Sequence, residues 1–243
     1  ELLKYFENIL CFSFKDWISL ESTNTLIITI DGPTGTGKSI TSRILAEKLD
    51  LMYFDSGSYY RAVTYAALKN NIKPNDFNAI CKTAAAIDLK FIENKILLNN
   101  KDITPELKAL EITNKVSQIS RINALRRMAY DRLKKVKEEN RGILMEGKDT
   151  GVNVFPEADF KFYLISDLSA RIARRHQDFL DLGQRFSKDK IEKELKLRDE
   201  LETRKNPSVL RKADDAVIVD TTNMIIEEQV SYLYRLITNP DTE

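Results

Sequence analysis

Residues 26 to 39 read LIITIDGPTGTGKS, from Leu26 to Ser39. The opening run, Leu26 to Ile30, is short, largely β-branched and uncharged, which predicts a strand buried on both faces. Asp31-Gly32 closes the run and opens a loop. Gly32 to Ser39 (GPTGTGKS) fits G-x-x-x-x-G-K-[ST], and it stands where that pattern works, after a strand and at the opening of a helix. Gly32, Gly35 and Gly37 let the backbone curl so that successive N–H groups face an anion, and the helix N-terminus beyond adds its positive end. The loop, with Pro33, Thr34, Thr36 and the adjoining Ile40, is therefore expected to cradle nucleotide phosphates. Lys38 would reach the β and γ phosphates, and the Ser39 hydroxyl would ligate magnesium. ATP and Mg2+ are the expected cofactors.

Outward from the loop, Ile40, Ile44, Leu45 and Leu49 recur at helical spacing, which predicts a helix. LMYF, Leu51 to Phe54, reads as a second strand, so the segment is a βαβ unit. Further strands are expected at GILM (Gly142 to Met145), FKFYLI (Phe160 to Ile165) and AVIVD (Ala216 to Asp220), each with a helical pattern nearby. Their apolar continuity predicts a parallel sheet covered on both faces, a three-layer αβα arrangement of the P-loop NTPase type. Two stretches interrupt the alternation. In Ile87 to Ile103, period-two patches flank the turn-forming pairs Glu93-Asn94 and Asn99-Asn100, which predicts a small antiparallel lobe. From about Ser169 to Asn206 the pattern is helical and dense in charge, as a mobile lid over phosphates would be.

Composition narrows the function classes. The 243 residues carry a net charge of +1, with 42% hydrophobic and 31% charged residues. No global field recruits nucleic acid, so attraction for anions must come from local clusters of Arg and Lys. Cys11 and Cys81 lack the spacing of a zinc or redox motif, which fits a reducing, cytoplasmic setting. No apolar run approaches the roughly 20 residues a membrane span needs. Residues 1–24 mix aromatics with charge and lack the pattern of a signal peptide; they are read as an extension without chemistry. The expectation is one domain over residues 25–243 that acts as a monomer on small molecules, without nucleic-acid or membrane partners.

A guanine-specific protein would carry Asn-Lys-x-Asp. The Asn-Lys pairs here, Asn94-Lys95, Asn100-Lys101 and Asn114-Lys115, have no Asp two residues on. A small-molecule kinase is favoured over a GTPase or a mechanical ATPase. Glu146, just past the apolar GILM, is placed to hold a magnesium hydration shell. Arg61, in a helix just beyond the second strand, suits a bidentate phosphate contact. Arg171 and Arg175 share one helix face with Arg174 beside them, a set suited to neutralising a transferring phosphoryl group.

Five segments, read with the phosphate loop, resemble the bacterial cytidylate (CMP/dCMP) kinase family over about residues 25–235. FDSGSYYR, Phe54 to Arg61, is similar to D-S-G-x-x-Y-R, which implies that Asp55 and Ser56 lie in the acceptor site and that Arg61 grips the acceptor phosphate. MEGKDTGVNVFPEAD, Met145 to Asp159, resembles [DE]-G-R-D-x-G-x-x-V-F-P-x-A, with Lys148 in place of the Arg and Asp149 as the acidic residue beside the acceptor phosphate. DLSARIARR, Asp167 to Arg175, resembles the lid start. RDELETRKNPSVL, Arg198 to Leu210, resembles R-D-x-x-D-S-x-R-x-x-x-P-L; Arg198 and Asp199 match, while Glu202 stands for Asp and Lys205 for Arg. NKVSQISRINALRRM, read as one helical stretch, resembles the segment that recognises cytosine, with Ser117 and Arg126 as its contacts. The resemblance implies an acceptor-binding insertion at 64–142, a lid at 169–206, and phosphorylation of CMP and dCMP from ATP. The three departures, Lys148, Glu202 and Lys205, leave a UMP/CMP or adenylate type of kinase as the alternative, and a non-catalytic nucleotide-binding regulator as a more distant one.

Overall fold

The computed structural model describes residues 26–239 apart from 93–94, 139–141, 182 and 204–209. Five parallel strands form the main sheet in the order β2-β6-β1-β7-β8: β1 Leu26–Asp31, β2 Met52–Asp55, β6 Gly142–Glu146, β7 Phe160–Ile165 and β8 Val217–Asp220. β1 is central and buried along its whole length, as its uncharged run requires. The pleat sends its side chains to alternate faces. Ile27 joins Ile143, Met145 and Phe54 in one core, while Leu26, Ile28 and Ile30 join Leu144, Phe162 and Leu164 in the other. Each fully buried Ile or Leu contributes about 1.5–3 kcal/mol relative to exposure.

The second core is closed by α1 (Lys38–Leu49) and by the C-terminal helix α8 (Ile226–Thr238). Of the four Ile and Leu positions on α1, Leu45 and Leu49 are buried and two are not. Ile40 and Ile44 are 49% and 41% exposed, and the buried face is Thr41, Ser42, Leu45, Ala46 and Leu49. Burying polar Thr41 is tolerable because its hydroxyl donates to Gln229 Oε1 of α8 at 2.7 Å.

The first core is covered by α2 (Ser56–Lys69), α3 (Phe77–Ala86), α4 (Leu110–Ile119) and α5 (Asn123–Glu138). Beside them lies the antiparallel lobe of β3 (Leu89–Ile92), β4 (Lys95–Leu98) and β5 (Lys101–Asp102). Asn99 and Asn100 turn β4 into β5 with φ of 49° and 64°, left-handed values that Asn tolerates. The expected Glu93-Asn94 turn lies outside the described residues. NKVSQISRINALRRM is not one helix: α4 ends at Ile119 and α5 begins at Asn123. The break lets Ile119, Ile122 and Leu125 all enter the core, and the Arg126 guanidinium takes the Ser120 carbonyl at 3.0 Å.

The charged stretch forms two packed helices, α6 (Leu168–Asp181) and α7 (Lys188–Thr203). Among the described residues no helix is long and apolar enough to cross a membrane.

Candidate active site

Parallel strands in register place the chemistry at one edge of the sheet. Glu146 is level with Ile30 on β1 and with Asp55 on β2, so Asp31, Asp55 and Glu146 gather at the strand C-termini where the phosphate loop begins. Chain order reverses about β1, and such a point is where open α/β sheets bind ligands. A cleft of about 320 Å3 opens there.

One wall of the cleft is Thr34, Gly35, Gly37, Lys38, Ser39 and Ile40. Gly37 has φ 94°, and a side chain there would meet the Gln229 amide at 2.7 Å. Gly32, Pro33 and Thr36 do not line the cleft but shape the curl: Thr36 Oγ1 and Lys38 Nζ both donate to the Pro33 carbonyl, at 3.2 and 2.7 Å. Burial pushes the Lys38 ammonium pKa below its ordinary value, against the pull of Glu146, Glu202, Asp31 and Asp55.

The floor carries the carboxylates. Glu146 is 3% exposed, and Oε1 accepts from the Tyr53 hydroxyl at 2.6 Å. Its other oxygen, Oε2, is buried with no hydrogen-bond partner among the described residues. The Ser39 hydroxyl is near enough to ease ionisation but completes no bond to Oε2. Burial, then the neighbouring Asp55 charge, pushes the Glu146 carboxyl up to about 7, against the opposing pull of Lys38. An orphaned carboxylate oxygen beside a hydroxyl is the hard-oxygen donor set that suits Mg2+, which takes one or two protein ligands and fills the rest with water and phosphate oxygens. Asp31 sits behind the loop, accepting from the Thr150 N–H and hydroxyl at 2.9 Å and from the Gly151 N–H at 2.8 Å. Burial raises its carboxyl to about 6 in spite of those bonds.

The opposite wall holds Asp55, Ser56, Arg61, Ser117, Arg126 and Lys148, with Asp149 and Arg198. Asp55 caps α2, accepting from the Gly57 N–H at 2.8 Å. Arg61 donates to the Leu107 carbonyl and to Thr113 Oγ1, both at 3.1 Å, which fixes its head at the cleft. Arg126 and Asp149 are both buried and joined at 2.5 Å. Tyr130 donates to Asp149 at 2.8 Å while accepting from Arg126 Nε at 2.8 Å, and Asn153 Nδ2 donates to Asp149 at 2.6 Å. Asp149 is thus bound into a network around Arg126 while lining the cleft beside Lys148. Tyr130 escaped the motif reading, although its spacing of four from Arg126 on a helix is a legible signal.

The lid arginines separate. Arg171 is 6% exposed and does not line the cleft; it donates to the Thr34 carbonyl at 3.2 Å and makes two bonds to Asp199 of α7, at 3.1 and 2.6 Å. Arg175 reaches the cleft beside Asp178, its partner at 3.4 Å. Arg174 turns away and binds the carbonyls of Thr221 and Met224 beyond β8. Glu202 is buried behind the acceptor wall, paired with Lys148 and 3.5 Å from Arg198 Nε. Lys205 lies outside the described residues.

A phosphate loop, carboxylates gathered at neighbouring strand ends and a facing wall of guanidinium groups define a P-loop phosphotransferase acting on small anionic acceptors. The family model described as cytidylate kinase matches residues 28–239. The cytidylate kinase of Carboxydothermus hydrogenoformans is 38% identical over 86% of this chain and 96% of its own length. That of Listeria monocytogenes serotype 4a is 37% identical over 88% and 96%. This chain belongs to the cytidylate kinase family. Among solved structures, a shikimate kinase from Bacteroides thetaiotaomicron covers 88% of this chain and 98% of its own at 12% identity and a TM-score of 0.43, too loose a likeness to add to the topology.

Proposed function

We propose that the chain transfers the terminal phosphoryl group of ATP to CMP or dCMP, releasing ADP and the nucleoside diphosphate. The observation that carries this reading is the buried Arg126–Asp149 pair set across the cleft from the phosphate loop. Arg126 offers donors suited to the cytosine O2 and N3, and the Asp149 carboxylate accepts from the exocyclic N4 amine. Uracil presents a donor at N3 and an acceptor at O4, so it meets like with like.

Gly32 to Ser39, with Ile40, hold the ATP phosphates, and Lys38 supports the β and γ oxygens. Arg61, Lys148 and Arg198 take the acceptor phosphate, Asp55, Ser56 and Ser117 complete the pocket, and Lys205 is assigned to it by its motif position. Arg175 faces the transferring group, and Arg171 braces the loop from behind. Mg2+, held by Ser39 and Glu146 with phosphate oxygens, supplies charge neutralisation when bound. The acceptor is already an anion, so a phosphate oxygen attacks the γ phosphorus without a general base, and the bond to the ADP oxygen breaks as the new one forms. Catalysis is positioning, water exclusion and charge neutralisation.

Residues 25–243 are read as the kinase domain, with 64–142 as the acceptor-binding part and 169–206 as the lid, and residues 1–24 as an extension to which no role is assigned. The enzyme acts as a cytoplasmic monomer on small nucleotides. The test is ADP release from MgATP with CMP, dCMP, UMP, AMP and shikimate. Turnover of another acceptor but not of CMP or dCMP overturns the substrate assignment, and ATP binding without ADP release with any acceptor indicates a regulator.

A further inference from the structure

Lys148 and Glu202, two of the three acceptor-site departures from the family pattern, are ion-pair partners. Lys148 lies on the loop after β6 and lines the cleft, with its side chain 28% exposed; Glu202 lies at the end of α7, outside the cleft lining, with its side chain 3% exposed. One carboxylate oxygen, Oε1, pairs with Lys148 and lies 3.5 Å from Nε of Arg198 without a hydrogen bond to it; Arg198 is one helical turn back on α7 and also lines the cleft. The chain beyond the lid returns to the same place, since the Arg211 N–H donates to the Lys148 carbonyl at 2.9 Å. The loop at Lys148 therefore meets the end of α7 through its side chain and the chain after the lid through its backbone.

We propose that Glu202 is a positioning residue that works through the two cations, holding Lys148 and Arg198 side by side at the acceptor phosphate and so coupling the end of the lid to that phosphate. The inference rests on the reading of the acceptor as a nucleoside monophosphate. A lysine ammonium is a compact charge on a flexible stem and lacks the fork by which Arg orients itself on phosphate. A buried carboxylate behind it supplies that orientation, and the longer reach of Glu over Asp meets the ammonium. The ammonium has three N–H donors, so it keeps Glu202 while turning another toward phosphate.

The test is a double-mutant cycle on Glu202→Gln and Lys148→Met, with wild-type turnover of CMP as the control. Expected is a rise of about tenfold in the KM of CMP and of dCMP alike for each single variant, with kcat and the KM of ATP within about twofold, and a double variant no worse than Lys148→Met. The paired exchange Lys148→Arg with Glu202→Asp should recover most of the loss. Additive losses overturn the inference, as does a loss confined to CMP with dCMP spared, which would place Glu202 on the sugar. A lowered Tm with unchanged acceptor KM would reduce the pair to a structural contact. If wild type turns over no nucleoside monophosphate, the functional reading fails instead, and that outcome is visible before any variant is made.

Discussion

Arg171 on the first lid helix and Asp199 on the second are joined by two hydrogen bonds, while the same guanidinium reaches the carbonyl of Thr34 in the phosphate loop. One buried side chain thus ties α6 and α7 to each other and to the phosphate loop. Removing the charge at Asp199 leaves a largely buried cation poorly compensated, an imbalance worth about 3–5 kcal/mol when burial is complete. Asp199 is partly exposed, so a smaller loss is expected: Asp199→Asn should lower kcat about 10- to 100-fold, equivalent to about 1.4–2.8 kcal/mol. Steady-state kinetics with saturating CMP checks this, and a variant with full kcat would show that the tie has no part in turnover.

The Tyr130 hydroxyl bridges the buried pair by bonding both Arg126 and Asp149. Burial and the Asp149 charge raise its pKa well above the ordinary phenol value, so it stays a proton donor across the physiological range. Tyr130→Phe removes both of these bonds, each to a charged partner and each worth about 1.5–3 kcal/mol, and leaves the Arg126–Asp149 pair itself in place. The expected result is a rise of about tenfold or more in the KM of CMP with kcat held within a few-fold, together with weaker discrimination against UMP. An unchanged CMP-to-UMP ratio would place Tyr130 outside base recognition.

Much of this was legible in the sequence for a physical reason: strands and turns depend on a few local residues. Leu26 to Asp31 is a buried strand and a helix opens at Lys38, as read, and Asn99-Asn100 turns the small lobe as expected. Where neighbours distant in sequence decide, the reading stopped short. Ile40 and Ile44 stand exposed on α1, while its buried face includes Thr41, whose hydroxyl finds a partner in Gln229, 188 residues on. At the break between α4 and α5 the partner is near in sequence: the Arg126 guanidinium donates to the Ser120 carbonyl, six residues back. Arg174 matched the lid motif, yet the carbonyls after β8 claim it. Motif spacing brings side chains near a site but does not show which are committed to protein partners.

The two raised carboxyls have a consequence for pH. Folded Glu146 holds its proton up to about pH 7, against an ordinary value of 4.5, and Asp31 up to about 6, against 3.8. In those windows the native state binds more protons than the unfolded chain. Both groups therefore favour the fold at low pH, and that contribution is lost as pH rises through the folded values. Ligand-free protein should melt at a lower temperature at pH 8 than at pH 5.5, and Glu146→Gln should flatten the profile between pH 5 and 7.5. Calorimetry at several pH values checks this; superposable profiles for the two proteins would contradict it.

Gly35 offers the sharpest separation of donor from acceptor effects. Its φ is 86°, and a Cβ built there would stand 3.1 Å from Arg171 Cβ. Gly35→Ala therefore places a side chain in the left-handed region, at about 1–2 kcal/mol, and presses it against the arginine that ties the lid. Neither residue belongs to the acceptor wall. The strain falls on the loop whose N–H groups must face the ATP phosphates, so the KM of ATP should rise about tenfold while that of CMP stays within about twofold. Because Arg171 is displaced from the Thr34 carbonyl as well, kcat should fall in step with the loss at Asp199→Asn, and the double variant should show less than the product of the two. A rise in the KM of CMP with ATP unaffected would mean that Gly35 shapes the acceptor side, contrary to the geometry of the loop.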